Sequence, residues 1–245
     1  MKRTVVIKIL LCFAVAGLAF WALRILSGNH DEAVMAKTRF PGETLIIDAG
    51  HGGVDGGAVS ARGTVESKIN LEIALRLDAI MGLYGVNVKM LRSEDISLHN
   101  PSADTIREKK VSDIHNRVKM IEDTPNATLI SIHQNMFGVA KYSGAQVFYT
   151  SEESSKLLAV FTQEALRLAL DKGNDRVAAK IPATVYLMNH ISCRAILVEC
   201  GFLSNPTEDT LLQSDAYQIK IASALASSYL DFEQKKPEGE TPNAA

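Results

Sequence analysis

The chain has 245 residues, 47% hydrophobic and 22% charged, a balance that fits one well-filled globular domain with appendages and excludes wholesale disorder. Its net charge is −2, but residues 1–26 hold Lys2, Arg3, Lys8 and Arg24 and no acid, which leaves 22 basic against 28 acidic side chains in the remainder. An acidic body lacks the clustered Lys and Arg that a phosphate backbone requires, so nucleic acid is excluded as the partner.

Ile9 to Leu23 is a run of fifteen apolar or small residues behind three cations, the build of an export signal. No small-x-small cleavage site follows, because Trp21 and Arg24 occupy that place. Counted from Thr4 to Leu26, with Lys8 and Arg24 snorkelling, the stretch reaches the length of a bilayer span. Residues 1–26 are therefore expected to be a signal or uncleaved membrane anchor of an exported protein, with Cys12 an apolar filler within it. Residues 27–43 have no apolar period and read as a linker; residues 233–245, charged and proline-containing, read as a disordered tail.

The folded domain begins with Ile46-Ile47-Asp48-Ala49-Gly50-His51-Gly52-Gly53-Val54-Asp55-Gly56-Gly57-Ala58, a short buried strand that stops in a glycine-rich turn and carries His51 at its end. Five glycines in eight positions cost chain entropy and imply positive φ or a close approach. No Gly-Lys-Ser/Thr follows, and the spacing does not match a dinucleotide fingerprint, so a hairpin-like loop with an incidental histidine stays open at this point. Thr64 is placed to cap a helix over Val65–Leu83, in which Ile69, Ile73, Leu77 and Ile80 form an apolar stripe. Counting back from Ile73 through Asn70 reaches Glu66, which puts that carboxylate on the sheet side of the first turn, where it serves either the helix dipole or a metal.

Gly85–Arg92 is the next strand, reached by a crossover of parallel-unit length, with Arg92 and Asp95 either a structural pair or part of a crevice. The polar stretch 100–123 holds a helix over Ser112–Glu122, and His99 and His115 are assigned to solvent. Ala127–Asn135 is a buried strand carrying His133 near its end, Gly144–Tyr149 alternates as a strand, and Ser154–Lys172 is an amphipathic helix. Residues 173–194 are irregular to extended, with His190 a candidate to line a site, and they lead into the strand Ala195–Phe202, which carries Glu199. Asp215–Glu233 is a covering helix. Cys193 and Cys200 flank an extended run and lie roughly 20 Å apart, too far for a disulfide, and Cys200 faces away from the side that Glu199 serves. This alternation predicts a single α/β domain, a mostly parallel twisted sheet sandwiched by helices.

In such sheets polar groups at strand carboxyl ends converge on one crevice. His51, Glu66 and His133 would supply three protein ligands to zinc with a fourth position open, the arrangement used for hydrolysis, and Glu199 would be free for proton transfer. The blocks Asp48-Ala49-Gly50-His51-Gly52-Gly53 with Glu66 and Asn70, Ser131-Ile132-His133-Gln134-Asn135, and Val198-Glu199-Cys200-Gly201-Phe202-Leu203-Ser204-Asn205 resemble the zinc-dependent N-acetylmuramoyl-L-alanine amidases of the amidase-3 family, over residues 44–232. The resemblance implies one Zn2+ on His51, Glu66 and His133, Glu199 as catalytic base and acid, and peptidoglycan cut between the muramic acid lactyl group and L-alanine. Ala49, Gln134 and Cys200 depart from the residues usual at their positions, and none of them is a ligand.

Within the family, the short hydrophobic N-terminal segment, the lack of wall-binding repeats and the block Tyr142–Tyr149 are similar to the germination-specific type of spore-forming bacteria. That likeness implies processing of spore cortex toward muramic-δ-lactam, at the cell wall or in the forespore intermembrane space, and leaves room for an accessory sporulation protein. The rival readings are a general vegetative autolysin of the same family, a zinc hydrolase of another amide, and a non-catalytic wall-binding protein on this fold.

Overall fold

The structure, a computed structural model, describes residues 38–235. The expected anchor, residues 27–37 of the expected linker and the tail from 236 lie outside the described residues. Among the described residues no helix is long and apolar enough to cross a membrane.

Six strands form one sheet: β1 (Thr44–Ala49), β2 (Val88–Met90), β3 (Ala127–Asn135), β4 (Gln146–Tyr149), β5 (Ala179–Lys180) and β6 (Arg194–Phe202). Their order across the sheet is β2-β1-β3-β6-β4-β5. β2, β1, β3 and β6 run parallel; β4 is antiparallel to β6 and carries β5 parallel to itself, so the sheet is mostly parallel with a reversed edge. The three central strands are near-continuous apolar runs because both of their faces are covered. Ile47, Ile130, Ile132, Ile196 and Val198 enter one core cluster, and Ile46, Leu129, Ala195 and Leu197 enter a second on the other face.

The first cluster takes most of its helical residues from α1 (Glu66–Leu83), α3 (Glu153–Leu170) and α6 (Asp215–Lys235), with Leu212 added from the short helix after β6. The second takes them from α2 (Ile106–Glu122) and α4 (Tyr186–Asn189). A short α5 (Pro206–Leu212) follows β6, capped by the Asn205 side chain. The expected stripe is present on α1: Ile69, Ile73 and Leu77 are buried and Ile80 is partly so. Its cap is Val65 and not Thr64, and no side chain caps it. The glycine loop does that work, since Glu66 N donates to Ala58 O and Ser67 N to Gly56 O. Both remaining thiols are free, with Cys200 buried in the first core cluster, opposite the Glu199 face.

Helix α2 begins six residues earlier than its expected start at Ser112. Thr105 accepts from Glu108 N while the Glu108 carboxylate accepts from Thr105 N, a complete capping box that starts the helix ahead of its apolar residues Ile114, Val118 and Ile121. Thr105→Ala is expected to lower the stability of the domain by about 1 kcal/mol, read as a shifted urea midpoint with an unchanged slope.

Candidate active site

The site grows from the end of β1. His51 stands at φ +61°, a left-handed conformation that a non-glycine residue holds only when its surroundings impose it. Two arginines impose it here. Arg92 donates through Nε to Ala49 O (2.8 Å) and through Nη2 to Gly50 O (3.0 Å) and Ser67 O (2.9 Å). Arg117 donates from the opposite side to Ala49 O (3.1 Å) and His51 O (2.7 Å). Both are 2% exposed. Arg117 also pairs with Asp48 and, through Nε, with Asp113 Oδ2 at 2.6 Å. Burial alone would weaken its charge, but the two carboxylates raise its pKa above the ordinary arginine value, and Asp48 is in turn held below the usual carboxylate range against its own burial.

Three side chains then converge. Glu66 comes from the first turn of α1 and His133 from the end of β3, and with His51 they place metal-ligating atoms within 4.8 Å of one another. His133 Nδ1 is 3.0 Å and His51 Nε2 3.4 Å from Glu66 Oε1. The other ring nitrogen of His51 faces Asp55 Oδ2 at 2.8 Å, and Asp55 Oδ1 meets Lys110 Nζ at 2.8 Å. Glu66 is oriented by Ala58 N, Asn70 Nδ2 and Gln134 N. The glycines explain themselves: a Cβ on Gly50 would stand 2.3 Å from the His133 ring, and one on Gly57 would stand 2.5 Å from Glu66 Oε2.

The electrostatics of this cradle favour positive charge. Burial pulls the His51 pKa down, but hydrogen bonds and charge from Asp55 and Glu66 raise it to about 10. Glu66 is held far below its ordinary value by the two histidines, against burial. Two imidazoles and a carboxylate are a donor set suited to a divalent transition metal, which has only to displace the imidazole proton. Glu199 lies opposite His133 in the β3–β6 register. Burial, with the Glu66 charge adding and the histidines opposing, pushes it up to about 7, and its Oε2 is buried without a hydrogen-bond partner. A buried carboxylate oxygen left unmatched beside a cation-favouring cradle fits a site completed by metal, water and substrate.

The expected residues His51, Glu66 and His133 thus stand together, with Glu199 one strand away. His190 does not join them: it is exposed and stacks on Tyr186 with ring centroids 3.7 Å apart. Val185 to Met188, at the start of α4, line the cleft beside His51 and His133 instead, a helix too short to read from periodicity. Arg92 and Asp95 both brace the turn, Asp95 by accepting from Gly53 N. Sequence patterning alone does not single out Asp55, Asp113 and Arg117. Asp113 and Arg117 are marked only by their i,i+4 spacing, and Asp55 by its place four residues after His51.

The model of the Amidase_3 family, described as N-acetylmuramoyl-L-alanine amidase, matches residues 45–229. The chain belongs to this family. It is 36% identical over 209 residues to the germination-specific N-acetylmuramoyl-L-alanine amidase of Bacillus subtilis, an alignment covering 85% of this chain and 87% of that protein. Among solved structures it is similar to the CwlD amidase from Clostridioides difficile in complex with the GerS lipoprotein, with TM-score 0.76 and 37% identity over 78% of this chain and 98% of that one. It is also similar to the amidase AmiC2 of Nostoc punctiforme, with TM-score 0.67 and 28% identity over 79% and 98% of the two chains. The amidase is accordingly an enzyme that hydrolyses the amide between an N-acetylmuramoyl group and L-alanine.

Arg117→Met is expected to destabilise the amidase by about 3–5 kcal/mol in a denaturant titration, because it leaves Asp48 buried without its partner. The lowered pKa of Asp48 means that its contribution is complete above the ordinary value of 3.8 and is lost as pH falls through the folded-state value. Acid unfolding of the wild type should therefore be steeper with pH than that of Asp48→Asn.

Proposed function

We propose that this amidase works on spore cortex with one zinc ion held by His51, Glu66 and His133, and that Glu199 is its base and acid. The observation that carries the catalytic part is the convergence of those three ligand types within 4.8 Å, beside the unmatched Glu199 Oε2. When bound, zinc lowers the pKa of the attacking water and polarises the scissile carbonyl. Glu199, raised to about 7 by burial, is poised to take a proton from that water and to return it to the leaving amide nitrogen. Asp55 fixes the His51 ring through Nδ1 and leaves Nε2 turned toward Glu66, as an outer carboxylate does for a ligating histidine.

The cortex role is supported by the germination-specific relative and by the likeness to the CwlD amidase. That the CwlD amidase was solved with the GerS lipoprotein supports an accessory lipoprotein partner for this chain. Peptidoglycan lies outside the cytoplasmic membrane, so the substrate demands export, and the basic, apolar start of the chain supports export with tethering near the membrane. In this reading residues 1–26 are the signal or anchor, 27–43 the linker and 44–232 the catalytic domain, which the family match supports.

Metal analysis of two variants tests the division of labour. Glu199→Gln should retain zinc and lose activity by on the order of 100-fold or more, whereas Glu66→Gln should lose zinc. The reverse pattern would exchange the two roles. For the biological substrate, a deletion strain should show normal vegetative growth and separation but spores without muramic-δ-lactam. Wild-type lactam levels, or chains of unseparated cells, would point to a vegetative autolysin.

A further inference from the structure

On the far side of Glu199 from the metal-ligating residues lies a cationic side chain that the chemistry above does not use. Glu199 has His133 opposite it on β3 and Gln146 opposite it on β4, so all three side chains leave the same face of the sheet. Gln146 Oε1 accepts from Arg176 Nη1 at 2.9 Å, and its Nε2 donates to Val177 O at 2.9 Å. Arg176 also donates through Nε to Ser143 O at 3.0 Å, and its guanidinium lies over the Phe202 ring, 4.8 Å from the centroid. It is half-buried and makes no ion pair among the described residues. Glu208, a carboxylate that feels its charge, has both oxygens committed to Gly144 N and Phe202 N. The guanidinium is therefore braced on three sides, with Nη2 making no hydrogen bond among the described residues, at the Glu199 side of the sheet.

The direction of the reaction assigns this position to one half of the substrate, given the proposed role of Glu199. Glu199 returns its proton to the leaving nitrogen, which belongs to L-alanine, while the acyl carbonyl turns to His51, Glu66 and His133. β6 lies between β3 and β4, so the peptide leaves over β4. Neighbouring strands are about 4.8 Å apart and consecutive residues about 3.8 Å, which brings the residue after L-alanine to the neighbourhood of Gln146 and Arg176. A planar guanidinium with donors to spare is matched to a carboxylate, which it binds bidentately.

We propose that Arg176, braced by Ser143, Gln146 and Phe202, is a specificity-determining residue that binds a carboxylate on the stem-peptide residue following L-alanine. This deepens the reading of Glu199 as proton donor to the peptide side and rests on it.

Two muramoyl peptides that differ only in a carboxylate or a carboxamide on that residue test the assignment. KM is measured with the zinc-loaded wild type, Arg176→Gln and Arg176→Lys, and binding of both peptides is measured calorimetrically in the Glu199→Gln background. The wild type should prefer the carboxylate by about tenfold, the scale of one charge-assisted hydrogen bond. That ratio should fall to near one in Arg176→Gln, with part of it kept in Arg176→Lys, which restores charge without the fork. An equal loss on both peptides would show Arg176 to be a brace for residues 143–146 and nothing more, and no preference in the wild type would equally overturn the proposal. Failure of the wild type to cleave either peptide would reject the catalytic reading by itself, while the binding ratio would still decide the role of Arg176.

Discussion

The Arg117 guanidinium holds Asp48, Ala49 O and His51 O in one grip, under the turn where β1 ends. A cation this deeply buried is tolerated only because Asp48 and Asp113 surround it and because it meets carbonyls that the turn leaves unpaired. Arg92 closes the same turn from the other side. These donors, with Asp55 on the ring and Asp95 on Gly53 N, hold His51 in its left-handed conformation with its imidazole facing Glu66. The placement of His51 against Glu66 thus depends on charges buried under the turn.

From that fixed point the rest follows by packing. The turn's carbonyls cap α1, which sets Glu66 in the helix's first turn. Gly50 and Gly57 leave room for the His133 ring and the Glu66 carboxylate to close on His51. The central parallel strands, buried on both faces, then hold His133 and Glu199 side by side. Two carboxylates, one on the first turn of α1 and one on β6, take opposite characters. Glu66 is ionised by the histidines and by donors around it, whereas Glu199 has no hydrogen-bond donor for Oε2 and is raised by burial. In the proposed assignment this difference separates metal binding by Glu66 from proton transfer by Glu199.

Much of this is legible in the amino-acid sequence. Apolar runs in β1, β3 and β6 mark central parallel strands, and each ends in a residue type that serves metal or proton chemistry. Glu66 can be placed because helical spacing counts back from Ile73 through Asn70, and Asn70 donates to it in the fold. What the sequence hides is of two kinds. Local devices without an apolar pattern escape notice, such as the Thr105–Glu108 capping box and the four-residue α4 that displaces His190 from the cleft. Long-range polar partners escape it as well: Arg117 is 69 residues from Asp48, and its place beside the stripe of Ile114, Val118 and Ile121 does not reveal which carboxylate it meets. The reversed β4 is also invisible, since strand direction at a sheet edge depends on the crossover and not on the strand's own residues.

The proposed catalysis turns on where a metal sits relative to the two carboxylates. The direct measurement is anomalous diffraction at the zinc edge on crystals of the exported domain grown with zinc. A single peak is predicted about 2.0–2.2 Å from nitrogens of His51 and His133 and an oxygen of Glu66, with the Glu199 carboxylate outside the coordination sphere. A peak bound by Glu199 in place of Glu66, or no peak between the two histidines, would contradict the assignment.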